Sequence, residues 1–365
     1  MSDYKLVRKG DLVLNKMKTW QGSLGVSPYE GIVSPAYFVC ELSTRVHGRF
    51  LHHLLRSRRY IAHYEAGSKG IRTNQWDLPY DVLRQIPVLL PPMDEQRRIA
   101  GFLDDRVSRI DRIIAARREQ TDLVSESRSR ASYDVIRGAT VTGGRKESQL
   151  DWLGEIPTTW GVLSVGSQFT IELGKMLDDK RQTGAHSLPY LRNTNVQWDK
   201  IDIEDLKEMD IPETEYSRYT VKPGDLMICE GGQPGRAAIW EGDVAPLGFQ
   251  KALHRARSRG RSTPDWLLEC LRVAADLNIF AGPSGQTTIA HLTNEQLRSQ
   301  RFPFPERNVQ VRLLGELEER REAMTSTIDG IAKSINLLIE YKSSLINAAV
   351  TGELDVSTAG SNIPG

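Results

Sequence analysis

The chain has 365 residues, enough for two or three domains at roughly 150 residues each, and 39% hydrophobic against 26% charged residues excludes disorder as a whole. The formal charge of +1 argues at first against a nucleic-acid binder, but it conceals a split: +6 over residues 1–90, +2 over 91–145, −4 over 146–303 and −3 over 304–365. No apolar leader and no run of ~18 apolar residues is seen, and Cys40, Cys229 and Cys270 form no CxxC or zinc-like spacing, so a soluble, cytoplasmic chain with reduced thiols is expected.

In chain order, short apolar segments bounded by Gly or Pro come first, such as the strand expected over 33–40, followed by a helical stretch over 48–64. Pro91-Pro92 then opens a long helix over about 95–130, with Asp94 expected as its cap. Ile99, Leu103, Val107, Ile110, Ile114 and Leu123 trace its apolar stripe. Residues 138–149 are polar and Gly-containing and read as a linker. Strands return at 225–229 and 237–240, and a helix at 264–278 buries Trp266, Leu267, Cys270, Leu271 and Ala274. After Pro305 a second long helix covers about 309–349. Met324, Ile328, Ile331, Ile335, Leu338 and Leu345 fall on a/d positions of one heptad frame, with Lys342 as the break.

Two helices of this length are unusual, since the average is ~10–14 residues. Each needs a partner for its stripe, and the other is at hand. The expected interface sets Ile99, Leu103, Ile110 and Ile114 against Ile328, Ile331, Ile335 and Leu338 in an antiparallel coiled coil. The expected class is α+β: two globular mixed α/β parts joined by that helix pair.

The chain also repeats itself. Gly10-Asp11-Leu12 recurs as Gly224-Asp225-Leu226, Leu78 and Leu83 as Leu292 and Leu297, and Gln96 and Gly101 as Gln310 and Gly315, all 214 residues apart. Gly67-Ser68-Lys69-Gly70 matches Gly282-Pro283-Ser284-Gly285, and Val141-Thr142-Gly143 matches Val350-Thr351-Gly352. A unit of roughly 210 residues thus occurs twice, but the first copy has no counterpart of residues 146–218.

No catalytic constellation stands out. There is no GxxxxGK[ST], HExxH, GxSxG or HxE…PCxxC, and no metal site. His47, His52, His53 and His63 read as surface histidines, and Asp104-Asp105 and Asp178-Asp179 as solvated charges. What remains is a set of polar, Gly-flanked loops carrying groups suited to base edges and phosphates. In the first copy these are Lys16, Lys18 and Trp20, then Lys69, Arg72, Asn74 and Gln75. In the second they are Arg192, Asn193 and Asn195, then Gln233, then Gln286, Thr287 and Thr288. Arg255 and Arg257 lie in a stretch, 254–261, that alternates basic with small residues and suits phosphate contacts.

Six segments carry a resemblance: WLGEIPTTW from Trp152, YLRNTNV from Tyr190, VKPGDL from Val221, GSKG from Gly67, PPMDEQ from Pro91 and LINAAVTGEL from Leu345. In these the chain resembles the specificity subunit of type I restriction-modification systems. The resemblance implies a non-catalytic subunit with two target-recognition domains, each reading one half of a bipartite site in double-stranded DNA. It implies two helices acting as a ruler between the half-sites, and docking of modification (methyltransferase) and restriction (translocase/nuclease) subunits. S-adenosylmethionine, ATP and Mg2+ would belong to those partners, with no cofactor or metal on this chain and no membrane contact. On this reading residues 1–90 are a partial first recognition domain, 91–145 the central helix and linker, 146–303 a complete second domain, 304–354 the distal helix and 355–365 a flexible tail. The sequence departs from a symmetric pattern in one further place. Counted from Pro92, the second helix-opening motif, Pro305 to Gln310, holds an extra residue, so an identical helix start is not expected there. Two other readings are a coiled-coil scaffold without DNA, and an orphan truncated subunit with one working half-site reader.

Overall fold

The computed structural model describes residues 4–70, 76–177, 183–280 and 291–358. The chain divides into two units, Met1–Thr121 with Ile328–Gly365, and Asp122–Thr327. The division cuts both long helices, so each unit holds part of each.

In unit 1, β1 (Lys5–Val7), β2 (Leu12–Asn15), β3 (Leu24–Val26), β4 (Gly31–Val33) and β5 (Tyr37–Cys40) precede α1 (Gly48–Leu55), α2 (Arg58–Gly67), α3 (Tyr80–Leu83) and α4 (Met93–Ile136). The strand expected over 33–40 is two strands, because Pro35 falls in a turn closed by the Tyr37 N–H on the Ser34 carbonyl. The helix expected over 48–64 also breaks in two, at Ser57, whose extended backbone starts α2 afresh. Sheet order is β3-β2-β5, with β1-β4 as a separate pair. Phe50, Leu51, Leu54, Tyr60 and Tyr64 fill the core against Ile99, Ala100 and Leu103 of α4.

Unit 2 holds β6 (Arg145–Glu147), β7 (Glu155–Pro157), β8 (Gly161–Ser164), α5 (Val165–Gln168), β9 (Phe169–Leu173) and β10 (Ser187–Leu191). It continues with β11 (Val196–Gln197), β12 (Lys200–Ile201), β13 (Lys207–Asp210), α6 (Tyr216–Tyr219), β14 (Leu226–Cys229) and β15 (Ala237–Ile239). It ends with β16 (Gly248–Phe249), β17 (Leu253–Ser258), α7 (Pro264–Asp276), α8 (Asn294–Ser299), β18 (Arg301–Phe304) and α9 (Arg307–Thr351). Its main sheet runs β15-β14-β17-β9, and α7 buries Trp266, Leu267, Cys270, Leu271 and Ala274 in the core, as their spacing predicts. The stretch read as a linker is partly ordered by pairing: β6 pairs with β7, and Arg145 donates to the carbonyls of Arg137, Gly138 and Glu155.

The helix pair is antiparallel. Within unit 1, Ile99, Ala100 and Leu103 share a core with Ala349, Val350, Leu345 and Ile346 of α9, and Lys342 Nζ donates to Asp111 at 2.6 Å. Within unit 2, Ala131, Val135 and Ile136 share a core with Leu313, Leu317 and Met324. Ile110, Ile114 and Ile331 are buried and Ile328, Ile335 and Leu338 half-buried, so the expected stripes face inward. Two details differ from expectation. Leu123 is exposed and Val124 takes its place on the stripe, because nine residues from Ile114 fall short of three turns at 3.6 residues each and place Leu123 on the opposite side of the helix. Asp94 lies inside the first turn of α4 rather than at its cap, beside Arg97, because the Pro92 carbonyl already accepts from Glu95 and Gln96.

The repeat is structural. β2 pairs with β5 at Leu12↔Cys40, and β14 pairs with β17 at Leu226↔Ala256. Leu6 pairs with Ile32, as Thr220 bridges Gly248. The difference lies where residues 146–218 act. In unit 2, β9 extends the main sheet beyond β17, and β10 lies beside Gly248 with Ile211 above it, so close that a Cβ there would sit 2.5 Å from the Ile211 side chain. Among the described residues, unit 1 has no strand beyond β5, and its Leu6 and Ile32 are 54% and 68% exposed.

Candidate nucleic-acid interface

In unit 1 the loop after β2 turns through a short 3-10 helix at Thr19–Gln21. The Leu78 N–H donates to the Lys16 carbonyl, and Lys69 and Asp77 exchange backbone bonds. These bonds bring the loop that carries Lys16, Lys18 and Trp20 beside the segment that carries Lys69. Lys18 and Lys69 are exposed, and the Lys16 ammonium sits 4.8 Å from the Phe38 ring centre. Trp20 packs on Trp76 at 5.3 Å between ring centres. Trp76 was not among the residues expected from sequence, although its place beside a polar run is the same signal that marks Trp20. Two aromatics flanked by lysines suit a phosphate-rich surface. Arg72, Asn74 and Gln75 lie outside the described residues, as do Gln286, Thr287 and Thr288 of unit 2.

In unit 2 most of the amides and guanidiniums expected at base edges are held by the fold. The buried Asn195 accepts from the Arg192 N–H at 2.9 Å and donates to the Asp202 carbonyl at 3.0 Å. Arg192 is committed to the carbonyl and carboxylate of Asp205 at 2.6 and 2.7 Å. Asn193 donates to the Gly231 carbonyl and accepts from Arg236, joining the 192–195 loop to the 231–236 loop. The residues left facing solvent on this joint loop edge are Thr194, Gly232 and Gln233. Gly232 and Gly235 hold φ of +76° and +84°, conformations that favour glycine, and a Cβ at Gly235 would also strike Phe280. The loop is thus held by bonds to Asn193 and Arg236, with Gln233 exposed on it.

Arg255 and Arg257 are on the same face of β17. Arg257 forms a two-pronged pair with the buried Asp225, at 2.7 and 2.6 Å, which raises the Arg257 pKa. Arg255 is buried, its Nη1 donating to the carbonyls of Ser217 and Thr220. Neither arginine projects freely from the surface; Arg259 and Arg261 of the same stretch are the exposed ones.

The readings of His53 and Asp104 need correction, whereas His63 and Asp105 are exposed as expected and Asp178-Asp179 lie outside the described residues. His53 is buried and bonds Asp104 at 2.9 Å, and Arg49 reaches the same carboxylate at 2.5 Å. Asp104 is thus a structural anchor on α4. Burial opposes its charge, but the bonds from Arg49 and His53 outweigh that and lower its pKa. Among the described residues no group of three or more His, Cys, Asp or Glu could hold a metal ion, and no helix is long and apolar enough to cross a membrane. Cys229 and Cys270 are buried and Cys40 half-buried; all three thiols are free.

No protein-family model matches the sequence. The chain is 24% identical over 330 residues to the specificity subunit of the type I restriction enzyme EcoKI of Escherichia coli strain K12, covering 86% of this chain and 67% of that protein. Its fold is similar to a chain from a solved type I restriction-modification assembly, with a TM-score of 0.73 and 18% identity over 96% of this chain and 84% of that one. It is also similar to the HsdS subunit of Thermoanaerobacter tengcongensis, with a TM-score of 0.60 and 18% identity over 96% and 83% of the two chains. The likeness to type I specificity subunits seen in six short motifs therefore extends to sequence and fold along most of the chain.

Proposed function

We propose that this chain, similar to type I specificity subunits in sequence and fold, is the non-catalytic DNA-reading subunit of a type I restriction-modification complex. The observation that carries the reading is the duplicated plan: each unit repeats the same strand registers and packs its own segments of the two long helices antiparallel. Such a molecule suits a bipartite duplex site, one half to each unit. Helices rising 1.5 Å per residue convert residue count into base-pair spacing. Docking of modification and restriction subunits would use the outer helix faces, where Leu337, Ile339 and Tyr341 of α9 are exposed. S-adenosylmethionine, ATP and Mg2+ would act on those partners, and the cytoplasm is the compartment of such a complex.

The domain boundaries follow the same proposal, with residues 1–90 belonging to the first reader and residues 146–303 to the second. Residues 146–218 hold 8 Lys/Arg and 14 Asp/Glu, so the piece without a first-copy counterpart is the acidic one. Residues 1–90, by contrast, carry a balance of +6, suited to holding the DNA backbone more than to reading bases. We therefore expect residues 1–90 to hold their half-site with less dependence on its base sequence than residues 146–303. Mapping methylated bases in cells with and without the chain tests the main reading; identical maps would sink it. Gel-shift titration on duplexes with either half-site scrambled tests the second part, and equal loss from either scramble would refute it.

A further inference from the structure

Arg255 presents an unusual problem for a folded chain. Its guanidinium cannot shed its proton, yet it is only 3% exposed. Its Nη1 is satisfied by two carbonyls, but its buried Nε has no hydrogen-bond partner. Among the described residues no carboxylate pairs with it, since Asp225 is taken up by Arg257 and Glu172 lies with Arg218 at 3.5 Å. A buried charge met, beyond those two carbonyls, only by the Phe249 ring at 5.6 Å and by carboxylates that bond other arginines is costly.

The surroundings show what would relieve it. Arg255 lines an open pocket of about 550 Å3 together with Thr170, Glu172, Ser217, Arg218 and Arg257. The floor is the β9–β17 pairing, with Arg255 opposite Glu172 and Arg257 opposite Thr170, and residues 217–218 of α6 form a wall. Three guanidiniums face two carboxylates, Glu172 and Asp225, leaving one positive charge in excess. Two hydroxyls, of Thr170 and Ser217, add neutral donors. Forked guanidiniums with hydroxyls match the oxygens of a tetrahedral anion.

We propose that this pocket binds a phosphate-type oxyanion, with Arg255 at its floor, Arg257 beside it and the exposed Arg218 closing over it from Glu172. The anion is either a phosphodiester of the DNA backbone, a source that rests on the function proposed above, or a free phosphate.

The test uses the full chain. Thermal unfolding is followed in inorganic phosphate and in chloride of equal ionic strength, for the wild type, Arg218→Ser and Arg255→Lys. Arg218 is exposed, so its replacement leaves folding intact, and the lysine retains the charge of Arg255 while losing the fork. Phosphate is expected to raise the wild-type Tm above the chloride value, and both variants to bind it about tenfold more weakly. In parallel, binding to a random-sequence duplex is measured against salt. A backbone phosphate in the pocket makes the slope of log K on log salt shallower by about 0.9 in Arg218→Ser, which loses a charge, and leaves it near the wild-type value in Arg255→Lys, which keeps one. An unchanged slope in Arg218→Ser with the phosphate effect present assigns the site to a free anion. A phosphate effect in a chain that binds no DNA removes the functional reading and leaves the site standing. If phosphate stabilises no more than chloride, or stabilises the variants as well as the wild type, and the slope is unchanged, the site is refuted even where DNA still binds.

Discussion

Gln96 and Gln310, 214 residues apart, do the same work in their two units. Gln96 is buried near the start of α4; it accepts from the His47 N–H that precedes α1, and donates to the carbonyls of Pro91 and Arg45. Gln310 is buried near the start of α9; it accepts from the Thr263 N–H that precedes α7, and donates to Pro305 and Ser262. Each glutamine ties a long helix to the start of the globular unit's own helix. The extra residue counted from Pro92 is immaterial, because Pro91, not Pro92, is the partner that matches Pro305. Replacing either glutamine by alanine strands buried donors and acceptors, so each substitution is expected to cost about 1–3 kcal/mol. The two share no bonding partner, so the double variant should approach the sum. Denaturant titration measures it; a loss within a few tenths of a kcal/mol for either single variant would contradict the role.

Lys342 breaks the heptad pattern of α9, and its ammonium meets Asp111 of α4 at 2.6 Å. A polar residue at a seam position fixes register at a cost in stability. The pair is partly solvated, so its own contribution is small, about 0–1 kcal/mol. Lys342→Leu continues the apolar seam and is expected to raise Tm, while leaving Asp111 in contact with water. A fall in Tm would show that the pair stabilises more than the leucine it replaces.

Glu269 of α7 and Arg321 of α9 form a buried two-pronged pair at 2.8 and 2.7 Å, and Arg321 also donates to Ser132 of α4 at 2.9 Å. The arginine thus ties three helices of unit 2 together. Glu269→Leu leaves a buried charge without its partner and is expected to cost about 3–5 kcal/mol. Adding Arg321→Met removes that charge and should recover much of the loss. A double variant no more stable than Glu269→Leu alone would show that the pair is not the source of the cost.

Legibility in sequence followed the physics that sets each feature. The long helices, the apolar stripe of α9 and the repeat were visible because period and offset are local or self-comparing signals. Gln96 and Gln310 could be matched by offset, but their bonds across the fold could not. Asn195 and Arg192 looked like base readers because their types suit base edges; a fold that buries its own loop needs the same donors. The alternation within 254–261 suggested exposed basic residues, yet residue type does not tell which face of a strand is covered, and α6 covers the face that carries Arg255. His53 likewise appeared superficial until α4 brought Asp104 beside it.

His52, half-buried on α1, has its pKa lowered to about 4 by burial first and by the nearby Arg56, His53 and Arg49, with Asp104 acting the other way. In the unfolded chain a histidine titrates near 6.5. Above that value the group is neutral in both states, and its contribution to stability is fully present. As pH falls from about 6.5 toward 4, the unfolded state takes up the proton and the folded state does not, so stability declines across this window. Tm measured against pH should therefore fall through that range, and less steeply in His52→Gln. His53, also lowered by burial despite Asp104, adds to the slope in the same direction. A pH profile identical in wild type and His52→Gln would rule out this histidine as a source.

Gln233 and Asn195 separate reading from folding. Gln233 is exposed on a loop held by Asn193, Arg236 and two left-handed glycines, whereas Asn195 is buried and bonded on both sides of its amide. Asn195→Ala leaves the Asp202 carbonyl and the Arg192 N–H without their partner, and is expected to cost about 1–3 kcal/mol of stability. Gln233→Ala removes no such bond, so Tm should be unchanged. If Gln233 meets an adenine edge, its loss relaxes discrimination at that one base position by about 1–3 kcal/mol while binding elsewhere in the site is preserved. Binding measured on duplexes varied one base pair at a time distinguishes the two roles. Unchanged discrimination at every position in Gln233→Ala would remove this residue from the reading surface, and unchanged stability in Asn195→Ala would remove the structural account of its amide.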